Sequence, residues 1–249
     1  MELLREVAGA GPVVLLTHGF GASSHMFAST VEALAPTHTA IAWDMRGHGR
    51  SEVSAAAADY SVAASLSDMA RLLDEAGAER AVLLGHSLGG YLSLEYALAH
   101  PAQVTGLVLV DTGPGFRSDR SRTGWNEMTA RYAADLDERG LDGLPGSDEL
   151  RRSVHRSAVG LAHTARSTLR QDDGHVIERL PTIAVPALVV VGSHDEPFLA
   201  GSEYMAAKLP QAELVVIEGS GHAPTVTHPD EFNAALLDFL GRRHGEVPA

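Results

Sequence analysis

The sequence of 249 residues predicts an α/β fold with a doubly wound, mostly parallel sheet. Short apolar runs rich in Val, Leu and Ile recur along the chain without polar alternation, as parallel strands buried on both faces require. Segments with helical spacing separate them. At one junction between such a run and a helical segment, a serine stands between glycines, the pattern of a sharp strand-to-helix turn.

In chain order, Leu3–Val7 is a candidate edge strand, and Val13–Thr17 and Thr39–Trp43 are the first core strands. Ser61–Ala76 then carries Val62, Leu66, Met69 and Leu73 at three- and four-residue steps, which predicts an amphipathic helix. Ala81–Leu84 is the next strand, followed by a helix-like stretch from Tyr91 to His100, and Gly106–Val110 is the strand after it. Ala187–Val191 and Glu213–Ile217 complete the sheet. The last helix, Pro229–Arg243, presents Phe232, Leu236, Phe239 and Leu240 on one face, with Pro229 at its start.

The rhythm breaks between Gly113 and Val185, where polar helical material runs without a strand candidate and turns at Gly140 to Pro145. About seventy residues is too long for an ordinary crossover. The expected organisation is therefore a core of residues 1–112 and 186–249 with a helical cap, 113–185, inserted between two core strands. Trp125, Met128, Tyr132 and Leu136 form one apolar face of this cap, and Val154, Leu161 and Leu169 are placed on later helices. Its polar clusters include Asp135-Leu136-Asp137-Glu138-Arg139 and Leu150-Arg151-Arg152.

Composition narrows the function classes. Hydrophobic residues at 45% and charged residues at 20% are ordinary for a water-soluble domain. A net charge of −13 argues against nucleic acid and anionic membranes as partners. With no cysteine there is no disulfide framework, thiol nucleophile or Cys-based metal site. Met1–Glu6 lacks a signal-peptide layout and no apolar run approaches a membrane span, so a cytoplasmic location is expected. The His and acidic residues show no metal-binding spacing. Gly19-Phe20-Gly21 lacks the third glycine and the ribose-binding acid of a dinucleotide site. A reaction without metal or cofactor is expected.

The chemistry concentrates at three places. Gly85-His86-Ser87-Leu88-Gly89-Gly90 has the form of a nucleophile elbow, which lifts a serine off the end of a sheet. A serine hydroxyl needs a base to take its proton as it attacks. His222, in the Gly-rich loop Gly219–Pro224 beyond the last strand, is the candidate base. Asp195, after the strand Ala187–Val191, is the candidate acid that would orient the imidazole and stabilise its charged form. Glu196 and Asp111 compete with it; of the adjacent pair Asp195 and Glu196 only one is expected to face inward, and Asp111 is otherwise a turn or capping residue. Oxyanion donors are expected from the backbone N–H of Leu88, at a helix N-terminus, and of Phe20, in the loop after the first core strand.

In their order, His18-Gly19-Phe20-Gly21, Asp44-Met45-Arg46-Gly47-His48-Gly49-Arg50-Ser51, Gly85–Gly90, Asp195 and Gly221-His222 resemble the landmarks of the α/β-hydrolase superfamily. The likeness covers nearly the whole chain and is strongest to small capped carboxylesterases, enol-lactonases and carbon–carbon bond hydrolases acting on diketones. It implies a structural role for Asp44–Ser51. It also implies an extra N-terminal hairpin for which this chain is short, so that the first edge strand is missing. Serine rather than aspartate at position 87 sets it apart from the haloalkane dehalogenase and epoxide hydrolase branches.

The resulting expectation is a serine hydrolase of a small-molecule ester or lactone, acting through an acyl-enzyme on Ser87, His222 and Asp195. Candidate pocket walls are Phe20, Met26, Leu88, Trp125, Met128, Tyr132 and Phe198. Two alternatives stay open. A carbon–carbon bond hydrolase would need a polar pocket for a keto acid, with charge from the cap arginines. A ligand sensor on the same fold would turn over slowly and signal through its cap.

Overall fold

The structure, a computed structural model, describes residues 1–150 and 153–244, so Arg151 and Arg152 lie outside it. The chain runs β1 (Arg5–Ala8), β2 (Val13–Thr17), α1 (Ala28–Leu34), β3 (Thr39–Trp43), α2 (Val62–Glu75), β4 (Ala81–His86), α3 (Leu88–Ala99) and β5 (Val104–Val110). It then passes through α4 (Asp119–Arg139), α5 (Ala158–Arg166) and α6 (His175–Arg179) before returning to the sheet. The remainder is β6 (Ala187–Gly192), α7 (Glu196–Lys208), β7 (Ala212–Ile217), α8 (Pro224–Thr227) and α9 (Pro229–His244).

The strands form one seven-stranded sheet in the order β1-β3-β2-β4-β5-β6-β7. All neighbours are parallel except β1, which pairs antiparallel with β3 and sets Arg5 opposite Trp43. The predicted edge strand therefore exists, one or two residues later than its apolar run. β4 continues two residues beyond the run Ala81–Leu84, which puts the chain reversal at Ser87 itself.

Successive strand residues point to opposite faces, and the core divides accordingly. Val14, Leu16, Ala40, Ala42, Val108 and Val110 share one buried cluster with the apolar faces of α1 and α9. Leu15, Ile41, Leu83, Leu107 and Leu109 share another with α2, α3 and α7. At the start of α2 the Ser61 hydroxyl accepts the Ala64 N–H at 3.1 Å, supplying one of the acceptors that a helix N-terminus lacks.

Between β5 and β6 the described chain carries helices α4 to α6, and its apolar residues divide their work. Leu136 packs with Leu161 and Ala162 in a small separate cluster. Leu169 lies in the turn after α5 rather than on a helix, and Val154 is an exposed loop residue. No helix among the described residues is long and apolar enough to cross a membrane.

Candidate active site

From β2 the chain passes to one side for β3 and then crosses to the other side of β2 for β4. Open α/β sheets leave a crevice at the carboxyl ends of the strands where the order reverses in this way. The loop His18–Gly21 follows β2 and Ser87 follows β4, so the topology alone brings these two segments to that crevice.

Ser87 joins β4 to α3 with φ 51° and ψ −116°, a left-handed conformation that costs a side chain about 1–3 kcal/mol. Neighbouring hydrogen bonds hold it there. Its N–H donates to the Val110 carbonyl at 2.9 Å, and its own carbonyl accepts from the Thr112 hydroxyl at 2.6 Å. The flanking glycines answer to space. A Cβ on Gly85 would stand 2.2 Å from the Gly89 carbonyl oxygen, and one on Gly89 would stand 2.0 Å from that of Thr17.

The loop carrying His222 is stitched to the turn after β6. The N–H of Ser193 donates to the Ile217 carbonyl at 3.0 Å, and that of His194 to the Ser220 carbonyl at 2.8 Å. This brings His222 Nδ1 to 2.8 Å from Asp195 Oδ2. A carboxylate only accepts, so Nδ1 carries the proton and Nε2 is left with a free lone pair. Asp195 is buried at the N-cap of α7 yet makes no side-chain cap bond; its carboxylate serves His222 instead. Glu196, beside it, is exposed. From the elbow, His86 donates through Nε2 to the His222 carbonyl at 2.6 Å, and the two rings lie 4.8 Å apart. Burial, aided by His222, holds the His86 imidazole well below its usual range, so it is neutral and acts as a strut. Among the described residues no hydrogen bond joins Ser87 Oγ to His222; such contacts often tighten only with substrate in place.

Asp111 departs from its expected role as a turn or helix-capping residue. It is fully buried at the end of β5 with φ 43°, and its Oδ1 accepts the Gly192 N–H at 2.9 Å. One ligand atom each of Asp111, Asp195 and His222 lies within 4.8 Å of the others. Burial pushes the Asp111 carboxyl well above the usual carboxylate range; the Gly192 N–H opposes that shift and the neighbouring Asp195 adds to it. The second acid of the pair is thus a neutral neighbour of the first, and its Oδ2 has no other partner among the described residues.

In the loop after β2, His18 is completely buried. Its Nδ1 donates to the Gly19 carbonyl at 2.7 Å and its Nε2 accepts the Met45 N–H at 3.0 Å. Burial lowers its pKa to about 4, so it is neutral, as those two bonds require. Asp44 accepts the N–H groups of Ser24 at 2.7 Å and Arg50 at 2.8 Å, and a Cβ on Gly49 would meet its carboxylate at 2.1 Å. Asp44–Ser51 is a structural turn.

Beside Ser87 lies a cavity of about 610 Å³. Of the residues singled out from sequence, Leu88, Trp125, Met128 and Phe198 line it, and the Phe198 ring is 4.8 Å from that of His222. Three do not line it. Met26 is buried in the core on the α1 side, and Phe20 and Tyr132 stack on each other with ring centres 6.1 Å apart. Leu169, read from the sequence only as an apolar residue of the cap, lines it as well; Tyr91, Phe116, Gln171 and Tyr204 line it and had no distinguishing pattern in the sequence. No charged side chain among the described residues is in the lining. Three arginines of the inserted segment turn elsewhere: Arg122 to the Phe116 carbonyl at 2.7 Å, Arg139 to the Asp142 carbonyl at 2.6 Å, and Arg166 to Asp137. Arg117 instead lies over the ring of Tyr204, a lining residue, 5.6 Å from its centre.

A family model described as alpha/beta hydrolase fold matches residues 12–149. A pimeloyl-[acyl-carrier protein] methyl ester esterase of Xanthomonas campestris pv. campestris is 33% identical over 94% of this chain and 97% of its own length. A protein of Pseudomonas savastanoi pv. phaseolicola, described as a candidate carbamate hydrolase, is 30% identical over 92% of this chain and 93% of its own. Among solved structures, a thermophilic esterase from Thermogutta terrifontis superimposes with a TM-score of 0.84 at 25% identity, covering 96% of this chain and 93% of that one.

Proposed function

This chain belongs to the alpha/beta hydrolase fold family, and from that premise we propose that it is a serine hydrolase of small, uncharged carboxylic esters or lactones. The observation that carries this reading is a serine held at φ 51° at the mouth of an apolar cavity, beside a histidine whose Nδ1–H is fixed by a buried aspartate at 2.8 Å.

In this reading Ser87 Oγ attacks the carbonyl carbon as His222 Nε2 takes its proton, and the electron pair of the C=O moves to oxygen. Asp195 keeps the proton on Nδ1 and stabilises the imidazolium. The N–H groups of Leu88 and Phe20 receive the oxyanion; both are without a hydrogen-bond acceptor among the described residues, and Leu88 opens α3, whose dipole favours negative charge. The tetrahedral species collapses, the alcohol departs with the proton from His222, and the acyl group remains on Ser87. A water, deprotonated by His222, then attacks the acyl-enzyme and releases the carboxylic acid and free serine. Residues 113–185 act as the cap that closes the cavity from above.

The uncharged, apolar lining favours a neutral ester over the keto acid of a carbon–carbon bond hydrolase, since no charged side chain among the described residues lines the cavity to neutralise a carboxylate, and Arg117 and Lys208 are stacked on the Tyr204 ring. The test sets a panel of chromogenic esters, lactones and vinylogous diketones against wild type and Ser87→Ala, together with a serine-reactive phosphonate. The expected result is ester or lactone turnover, phosphonate labelling at Ser87 alone, and a loss of several powers of ten in kcat for Ser87→Ala. Undiminished turnover by pure Ser87→Ala protein overturns the mechanism. Very slow turnover of every ester, with ligand-dependent protection of residues 113–185, points to the sensor instead.

A further inference from the structure

Two polar atoms on residues of the cavity wall have nothing to bind. Gln171 Oε1 and the Tyr204 hydroxyl oxygen are buried without a partner among the described residues, and both side chains line the cavity. A buried acceptor left empty costs about 1–3 kcal/mol, so its presence in a ligand cavity points to a group that fills it.

Gln171 is held in place by a built support. Its N–H donates to Asn126 Oδ1 at 2.9 Å, and its carbonyl accepts from Asn126 Nδ2 at 2.9 Å, so α4 clamps its backbone from both sides. One turn-neighbour back, Trp125 Nε1 donates to the Leu169 carbonyl at 2.7 Å. The side chain is 6% exposed. Room for its amide oxygen is made by Gly115, at φ 81°, where a Cβ would stand 2.3 Å from Oε1.

Further polar groups neighbour the Gln171 amide. The Tyr91 hydroxyl lies between the Glu95 carboxylate and the Gln171 amide. Glu95 in turn receives His175 Nε2 at 2.8 Å, and His175 Nδ1 meets Asp173 at 2.6 Å. Among the described residues Oε1 is left as an unfilled acceptor.

We infer that the substrate, on the serine hydrolase reading above, carries a neutral hydrogen-bond donor on its otherwise apolar portion, a hydroxyl or amide N–H received by Gln171 Oε1, with Tyr204 as a second contact. Neutrality follows from the lining, which contains no charged side chain among the described residues; Arg117 and Lys208 lie against the Tyr204 ring, 5.6 and 5.7 Å from its centre. Gln171 and Tyr204 are then specificity-determining residues and have no part in bond making.

The experiment compares chromogenic esters of straight-chain acids of four to eight carbons with the same esters bearing a terminal hydroxyl. For the length that reaches Gln171, the hydroxylated ester should exceed the plain one in kcat/KM by about tenfold or more, because a site built around a hydrogen bond discriminates strongly against ligands lacking the group. In Gln171→Leu the ratio for that length should fall to about one or below. Tyr204→Phe, which removes a single oxygen, provides the second variant and should lower the ratio partially. Plain esters preferred at every length by wild type, or a ratio unchanged in both variants, overturns the inference while leaving the hydrolase reading intact. Absence of turnover on every ester of either series fails the hydrolase reading itself, and the inference falls with it.

Discussion

Asp111 and Asp195 stand side by side, and only one of them reaches His222. Asp195 makes the 2.8 Å contact that sets the tautomer, so Asp195→Asn should lose on the order of 10⁴ in kcat while the protein stays folded by circular dichroism. Asp111 is a neutral acid, so an amide replaces it with little change of charge or shape, and Asp111→Asn should keep most activity. The same substitution should alter stability against pH. A carboxyl whose folded pKa is raised contributes stability that is fully present below the unfolded value near 4 and is lost as pH rises, because the unfolded chain releases its proton first. Denaturant titrations should show wild type weakening relative to Asp111→Asn between about pH 5 and 8. Equal pH slopes would mean that Asp111 is ionised in the folded protein. Sequence reading identified both acids as candidates at strand ends but not their adjacency. That adjacency comes from the parallel register of β5 and β6, Val110 beside Val190, which no local pattern encodes.

At the scale of elements, the strands and the core helices α2, α3 and α9 were legible because each satisfies a local rule: an unalternated apolar run, an apolar stripe, a glycine where a carbonyl crowds. The core helices α1 and α7 had no such signal in the sequence. The inserted segment was less so. Its helix α4 does show the predicted apolar face, but Trp125 and Met128 turn to the cavity, Tyr132 to Phe20, and Leu136 to α5. One face serves three partners, which a periodicity cannot distinguish. The segment is fastened to the core by His155, a residue without any sequence signal. Its Nδ1 accepts the Gly49 N–H at 2.8 Å and its Nε2 donates to the Gly21 carbonyl at 2.8 Å. Burial, the largest influence, keeps its pKa below the usual histidine value, as a ring that must both accept and donate requires. His155→Ala should therefore cost about 1–3 kcal/mol of stability for the two stranded backbone groups. Gly21 adjoins Phe20, so kcat should fall with KM nearly constant if the Phe20 N–H serves the oxyanion. A rise in KM alone would place the loop in substrate binding instead.

Over the whole molecule, the sheet separates stability from chemistry. The order β1-β3-β2-β4-β5-β6-β7 puts the reversal beside the elbow; the inserted segment packs on the side of α3 and α7 through Leu169 and Val176, while its Leu150 packs against the cluster of the other layer. Tyr91, Leu169 and Leu88 belong both to that layer's core and to the cavity wall, so substitutions there act on fold and site together. The opposite layer, where Phe232, Leu236, Phe239 and Leu240 of α9 share a buried cluster with Val14, Leu16, Val108, Leu188 and Val190, contributes no wall to the cavity. Phe232 is completely buried in it. Phe232→Ala should cost about 3–5 kcal/mol, the usual range for emptying such a site. For a chain of this size that is a fall in Tm of about 6–20 °C. Well below the lowered Tm, kcat per folded molecule should match wild type, because the cavity and the His222–Asp195 contact lie at the ends of the strands rather than on this face. Parallel measurement of Tm and of active-site titre with the phosphonate tests this directly. A kcat that falls at full titre would show that the two layers are mechanically coupled through the sheet, and the stability of α9 would then have to be counted among the determinants of the site.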